Sequence, residues 1–165
     1  MENKKYELLD NDTVTTWDGR TLKRIRALVA IGSLVAAGEL GGYIESENNL
    51  SQVYGNAWVS GNAQVYGNAR VYGDARVYGN AWVYGDARVE QRRDIFWLSI
   101  IGSENGTYTA FKNKDGGISV NRGCFHGTLE QFSDAVNERH TGQFHQEYQL
   151  VIELTKVRLG VGEAV

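Results

Sequence analysis

Eight residues in the middle of the chain have the side chains best suited to binding chemistry. A guanidinium group presents a planar fork of N–H donors that matches a phosphate, and it also stacks favourably on an aromatic ring. The eight combine these two groups: Arg70, Arg76, Arg88, Trp58, Tyr72, Tyr78, Trp82 and Tyr84. They predict a binding site for a small phosphate-bearing ligand with a planar ring, such as a nucleotide.

The same residue types also predict contact between protein chains. Tyrosine, tryptophan and arginine are enriched at the centres of protein interfaces. The sequence leaves open whether the eight residues bind a ligand or another subunit. Both interpretations hold if the ligand lies between subunits.

A strict six-residue repeat over residues 53–89 must position these side chains. A typical unit reads Val-Tyr-Gly-Asn-Ala-Arg, and a repeat of this length predicts a parallel β-solenoid. Side chains alternate along a strand, so valine and the alanine two residues before it point inward. The residue between them and the following tyrosine point outward, while glycine with Asn or Asp turns the corner.

Three strands and three corners make one coil of eighteen residues, which sets the lateral neighbours. Trp58 is expected to lie beside Arg76, and Arg70 beside Arg88. Gln64 is expected beside Trp82. The outer surface is therefore predicted to be a lattice of Tyr, Trp and Arg side chains.

Residues 1–33 are predicted to form a small β unit ahead of the solenoid. Residues 6–9 and 22–31 are rich in apolar side chains, and Asp18-Gly19 between them is a turn signal. Residues 34–90 are assigned to the solenoid. Its first coil is degenerate, as expected for a cap, and has apolar residues at irregular spacing: Leu34, Leu40, Ile44 and Leu50.

Residues 91–165 have a different composition and predict an α+β domain. Strands are expected at residues 95–101, 108–111 and 118–120, with two helices after them. Thr128 and Gln131 form a capping-box pattern at the start of the first helix. The second helix, from about residue 143 to 159, is so apolar that it must pack on the strands or on a neighbouring subunit.

Composition excludes several classes of protein. A net charge of −3 argues against general nucleic-acid binding, and the single Cys124 excludes an internal disulfide. The N-terminal residues lack the apolar segment of a signal peptide, and no window is apolar enough to span a bilayer. We expect a protein with no membrane contact, located in the cytoplasm.

Three segments resemble small hexapeptide-repeat proteins that are common in bacteriophages and prophages. They are Leu40-Gly41-Gly42-Tyr43-Ile44-Glu45, the Tyr-Gly-Asn-Ala units, and Cys124-Phe125-His126-Gly127-Thr128-Leu129. Related proteins are often labelled polymer-forming or acyltransferase-like. The resemblance implies a left-handed β-helix that assembles as a homo-oligomer, commonly a trimer. It also implies a location in the host bacterial cytoplasm if the chain is phage-encoded.

Acyl transfer is the leading enzymatic alternative, because many hexapeptide-repeat proteins use acetyl-CoA between subunits. Those enzymes place a catalytic histidine in or beside the coils, whereas His126, His140 and His145 all fall outside the repeat. Cys124 and His126 are also spaced to meet on one face of a strand as nucleophile and base. A third orienting group is not evident, so no catalytic residue is assigned.

No cofactor or metal ion is expected. Glu45, Glu47 and Asn48 have oxygen ligands, but their spacing matches no recognised metal loop. The sequence therefore favours a non-enzymatic, oligomeric phage protein that sequesters a host nucleotide immune signal and so evades anti-phage defence. A structural role built on a trimeric β-helix and an acyltransferase remain as alternatives.

Overall fold

The computed structural model describes residues 4–53 and 55–160. Its centre is a short solenoid of two-residue strands: β4 (Trp58–Val59), β5 (Gln64–Val65), β6 (Arg70–Val71), β7 (Arg76–Val77), β8 (Trp82–Val83) and β9 (Arg88–Val89). Tyr54, which the repeat places on the outer surface, lies outside the described residues. So do residues 1–3 of the predicted N-terminal unit and residues 161–165 of the predicted C-terminal domain.

The eighteen-residue coil is confirmed by the pairing of the strands. Trp58 pairs with Arg76, Gln64 with Trp82 and Arg70 with Arg88, all in parallel register. From Ala57 to Val89, each alanine and valine of these repeats is at most 1% exposed, so the inner row predicted from the alternation forms the core. Val53, the first valine of the repeat, was also predicted to point inward but is 74% exposed, because it lies ahead of the first solenoid strand.

The corner glycines adopt the left-handed backbone conformation that their place in the repeat requires. From Gly55 to Gly85 their φ angles lie between 61° and 74°. The corners of successive coils also stack closely, and a Cβ at Gly61 would lie 3.3 Å from Gly79 N. Glycine is needed both for the conformation and for the stacking.

The N-terminal hairpin extends one face of the solenoid. It consists of β1 (Tyr6–Thr15) and β2 (Thr21–Ala27), and β3 (Leu40–Ile44) joins it to the coils. The resulting sheet has the order β1-β2-β3-β5-β8. The expected Asp18-Gly19 turn lies between β1 and β2, but β2 ends at Ala27, because the chain then enters a loop with positive φ at Gly32 and Gly38.

The degenerate first coil is only partly as predicted. Ile44 and Leu50 are fully buried, and each pairs in parallel with the coil above, at Val65 and Val71. Leu34 and Leu40 are instead 59% and 51% exposed. Leu34 lies in the loop that joins β2 to β3, and Leu40 is the first residue of β3.

A four-stranded antiparallel sheet closes the other end of the solenoid. Its strands run in the order β10 (Ile95–Ile101), β11 (Gly106–Lys112), β12 (Ile118–Arg122) and β13 (Phe125–Thr128). The first three were predicted. A strand through Cys124 and His126 was considered only for its chemistry, and β13 contains His126 but begins after Cys124. One side of the sheet packs on the solenoid core through Ile95 and Phe111.

Two helices cover the other side of this sheet. They are α1 (Leu129–Arg139), with Thr128 and Gln131 in the predicted capping box, and α2 (Gly142–Leu159). Tyr148, Val151 and Ile152 of α2 are buried against Phe132 and the sheet. None of the helices in the described ranges is long and apolar enough to cross a membrane. The division into units at residues 33 and 90 stays a prediction.

Candidate anion-binding cleft

The structure does not bring the eight predicted site residues together, because the solenoid distributes them over three faces. Two of them are also covered. Trp58 is 2% exposed and contacts the Tyr6 ring edge-on at 6.3 Å, and the Tyr84 ring is stacked on those of Tyr66 and His126. The expectation that these rings lie on the protein surface is wrong. Both point out of the solenoid, but flanking elements pack over them, since a large ring buries much apolar area.

Arg70 and Arg88 come together as predicted, in a polar cleft of about 210 Å³. Arg88 is tied down there, because its Nη1 donates to the backbone oxygens of Asn68 and Ala87 at 2.9 and 2.8 Å. Asp86 and Lys114 also line this cleft and pair with each other at 3.7 Å, so Asp86 offsets only part of the positive charge there. Tyr72 is half-buried and is not among the residues that line this cleft.

Arg76 and Tyr78 contribute to a larger cleft of about 370 Å³, which we call the arginine cleft. Four elements form it: the solenoid face at β7, the 3-10 turn Arg92–Asp94, strand β10 and the last turn of α2. The lining side chains are Arg76, Tyr78, Arg92, Ile95, Phe96, Trp97 and Arg158.

The charges of the arginine cleft are unbalanced. Three guanidinium groups line it and no carboxylate does. Within residues 4–53 and 55–160, the side chains of Arg76, Arg92 and Arg158 form no hydrogen bond or ion pair. Outside the cleft, Arg20, Arg24, Arg26 and Arg122 each pair with a carboxylate, whereas Arg70, Arg88, Arg93 and Arg139 form no ion pair among the described residues. The cleft therefore concentrates positive charge that the described fold leaves uncompensated.

The environment of Arg76 reflects this concentration. Burial lowers the pKa of its guanidinium, and the positive charge of Arg92 lowers that pKa further. Arg76 still carries its charge at neutral pH, because a free guanidinium loses its proton only above about pH 12. A bound anion would relieve both the desolvation and the repulsion between the two arginines.

An aromatic wall completes the cleft. The Tyr78 ring meets the Trp97 ring edge-on, with centroids 4.6 Å apart and planes at 89°. Tyr78 is 54% exposed, so part of its ring faces solvent. A Cβ at Gly79 would lie 3.1 Å from Trp97 Nε1, which shows that the corner glycine allows β10 to approach.

Arg76 and Tyr78 were predicted from the sequence, but the other five lining residues were not, and three of these bear on binding: Arg92, Trp97 and Arg158. Arg92 lies where the repeat breaks. The Arg92-Arg93 pair at that point is a sequence signal that indicates positive charge beside the solenoid. Trp97 was assigned only to an apolar strand. Arg158 is far along the chain from Arg76, and only the packing of α2 against β10 brings the two into one cleft.

The candidate groups for catalysis lie elsewhere. The His126 ring hydrogen-bonds to the Asn121 side chain and stacks on Tyr84, and burial lowers the pKa of its imidazole. Cys124 is exposed in the turn between β12 and β13 rather than on a strand. In the part of the chain that the structure describes, no hydrogen bond joins Cys124 to His126.

The histidines on the helical side do not contribute to the arginine cleft either. His145 Nε2 lies 2.8 Å from the Asn137 side-chain oxygen, and His140 lies beside the Tyr148 ring. Among the described residues, no group of three His, Cys, Asp or Glu side chains is placed to hold a metal ion. The arrangement of the arginine cleft suits binding of an anion through fixed charges and an aromatic wall.

The repeat matches a known family model. The model described as YdcK Beta solenoid repeat matches residues 51–67, 63–79 and 69–85. These overlapping matches cover about a fifth of the chain. No curated protein and no solved structure matches the chain. The protein therefore contains a β-solenoid repeat, similar to the one that this family model describes.

Proposed function

We propose that this protein binds a phosphate-bearing ligand with a planar ring in the arginine cleft and does not convert it chemically. The observation that carries the proposal is the set of Arg76, Arg92 and Arg158 with no carboxylate among the lining residues. Guanidinium groups bind phosphate oxygens through paired, charge-assisted hydrogen bonds. Three of them around one cleft favour a dianion or a diphosphate over a single carboxylate.

The aromatic wall favours a nucleotide over inorganic phosphate. A planar base has a face on which the exposed part of Tyr78 or the half-buried Trp97 packs, while its phosphates reach the arginines. The volume of about 370 Å³ lies within the usual range for small-molecule sites. Size, charge and aromatic surface thus agree on one ligand class.

The finer parts of the proposal rest on the resemblance to phage and prophage hexapeptide-repeat proteins. We propose that the solenoid is left-handed, that the protein assembles as a trimer, and that it acts in the cytoplasm of a bacterial host. In that setting the ligand would be a host nucleotide immune signal, which the protein sequesters.

A structural or assembly role is the second candidate, and one surface favours it. Leu150, Leu154 and Val157 of α2 are 65%, 43% and 75% exposed, and they follow each other at helical spacing along one stripe. Such a stripe suits contact with a neighbouring subunit. Acyl transfer has no comparable support, since none of the described histidines lines the arginine cleft.

Calorimetric titration with ATP, cyclic AMP and cyclic di-AMP tests the proposed site. Each removed guanidinium should cost about 1.5–3 kcal/mol of binding free energy, which is roughly tenfold or more in affinity. The double variant Arg92→Ala with Arg158→Ala should therefore lose measurable binding. Its matched control is Arg93→Ala, an exposed arginine in the same turn that does not line the cleft.

A second comparison separates the two arginine-lined clefts. The double variant Arg70→Ala with Arg88→Ala should keep the affinity, because these residues lie on another face. Loss of binding in this variant, with binding kept in the first, would place the site in the cleft lined by Arg70, Asp86 and Arg88 instead. Native mass spectrometry of each variant reports the number of subunits and shows whether any loss of binding reflects lost assembly.

A further inference from the structure

A third cleft, of about 390 Å³, lies where another face of the solenoid meets the C-terminal sheet. We call it the Trp82 cleft. The solenoid contributes Trp82, Gln64, Asn62 and Asn80, and the C-terminal domain contributes Thr107, Glu104 and Arg122. The Trp82 cleft and the arginine cleft share no lining residue.

Trp82 is held in place through both its indole and its backbone. Its Nε1 donates to Gln64 Oε1 at 2.8 Å. Its backbone N–H donates to Thr109 Oγ1 at 3.2 Å, and its carbonyl accepts from Asn121 Nδ2 at 2.6 Å. The bond to the indole also orients the Gln64 amide, because Oε1 is engaged and the NH₂ group is left to donate elsewhere. An aromatic surface and an amide donor are therefore preorganised side by side.

The charges of this cleft are balanced, unlike those of the arginine cleft. Its two charged residues pair with each other, with Arg122 Nη1 at 3.4 Å from Glu104 Oε2. The Arg122 side chain is only 12% exposed, and its buried Nε has no hydrogen-bond partner among the described residues. The charged residues that line the cleft therefore give it no net charge.

Side-chain amides supply most of the remaining polar surface. Asn62 and Asn80 occupy corners one coil apart, are exposed, and make no side-chain hydrogen bond within residues 4–53 and 55–160. Each amide offers a donor and an acceptor at once. That pairing suits neighbouring hydroxyl groups, which also donate and accept.

We infer that the Trp82 cleft binds a neutral saccharide. A sugar ring has one apolar face of C–H groups that packs on an aromatic ring, and its edge carries hydroxyls for the amides and the Arg122–Glu104 pair. Trp82 and Ala81 are the only apolar side chains in the lining. A peptide with large apolar side chains would find no pocket there, so the polar, aromatic lining favours a sugar.

The test uses the full chain on an array of neutral hexose and N-acetylhexosamine oligosaccharides, followed by calorimetry with the strongest hit. The key variant is Asn62→Asp with Asn80→Asp, which replaces two amide donors by carboxylates. Asp74 and Asp86 occupy the equivalent corners of other repeat units, so the solenoid accommodates this change. We expect about tenfold weaker binding or more, from two lost hydrogen bonds.

Asn68→Asp is the matched control, because it makes the same change at a corner outside the Trp82 cleft. It should leave saccharide affinity unchanged. Trp82→Ala should abolish binding, with circular dichroism checking that the variant is folded. Absence of binding to every oligosaccharide on the array would overturn the inference, as would equal affinity in the double variant and the wild-type chain.

Discussion

The two ends of the solenoid are closed by the same backbone device with different side chains. At the first end the 3-10 turn Glu47–Asn49 closes the corner, and at the last end the turn Arg92–Asp94 does so. The side-chain oxygen of Asn49 accepts hydrogen bonds from the backbone N–H groups of Glu45 and Ser46. One oxygen of Asp94 likewise accepts the two N–H groups that precede its turn.

The difference lies in what surrounds the remaining atoms. The Asn49 NH₂ group donates to the carbonyls of Gly67 and Ala69 at 3.2 and 2.9 Å, and Asn49 is fully buried. Asp94 cannot donate, and its other oxygen lies 3.3 Å from Lys112 Nζ of the C-terminal sheet. A neutral amide therefore caps the corner whose neighbours are carbonyls, whereas a carboxylate caps the corner where a lysine supplies a cation.

The largest effect is expected from Asn49→Asp, which gives the first end of the solenoid the carboxylate that the last end has at Asp94. The new carboxylate would be buried with two carbonyl oxygens facing it and no cation, and an uncompensated buried charge costs about 3–5 kcal/mol. Urea denaturation measures the free energy of unfolding. The control is Asn48→Asp, an exposed neighbour in the same turn. A cost below about 1 kcal/mol would mean that the Asn49 amide does not cap the corner.

A smaller effect is expected from the reverse exchange, Asp94→Asn. The amide oxygen still accepts from Glu90 and Gln91, so only the charged character of these bonds and the attraction to Lys112 are lost. We expect about 1 kcal/mol of destabilisation, measured by the same denaturation. A cost equal to that of Asn49→Asp would remove the distinction between the two ends.

Removing the cation alone should matter less. Lys112→Met keeps the stem of the side chain but removes its charge, and the Lys112 side chain is 41% exposed. A partly exposed ion pair contributes about 0.5–1 kcal/mol. The effect should shrink when the denaturation is repeated at about 1 M salt, because salt screens exposed charges. A salt-independent loss would point to packing of the lysine stem instead.

The smallest effect is the pH dependence of stability, which we expect from His126 at the last end of the solenoid. His126 packs on the final coil through Tyr84, and burial lowers the pKa of its imidazole against an opposing effect of Asp86. The folded state thus favours neutral histidine, so this stabilisation is complete above the ordinary pKa of 6.5. It is lost as the pH falls through the lower pKa of the folded state.

Melting temperatures between about pH 5 and pH 8 measure this dependence, because unperturbed histidine titrates in that range. The His126→Gln variant cannot titrate and should show a shallower decline on the acid side. Equal declines in the variant and the wild-type chain would show that another group is responsible.

The two caps also show where reasoning from the sequence stops. The repeat predicts the strands, the corner glycines and the pairing of Arg70 with Arg88, because each follows from a period of six residues. It does not predict the roles of Asn49 and Asp94. The carbonyls that meet Asn49 lie one coil away at Gly67 and Ala69, and the cation at Asp94 comes from a different sheet.

The lining residues of the arginine cleft divide in the same way. Arg76 and Tyr78 were identified from the outward positions of the repeat, while Arg92, Trp97 and Arg158 join them through the packing of β10 and α2. Tyr84 and Trp58 occupy equally outward positions, yet they are buried under flanking elements. Position in the repeat is therefore a poor guide to exposure.

By itself, the sequence determined which side chains point into the solenoid and which point out, because the backbone alternates at every residue of a strand. Only the tertiary structure decided which outward side chains stay accessible. That choice depends on what packs against each face, and side chains outside the repeat, such as Tyr6 on Trp58 and His126 on Tyr84, provide part of the cover. Arginine side chains with aromatic neighbours stay accessible in the arginine cleft, and amide side chains stay accessible beside Trp82 in the Trp82 cleft.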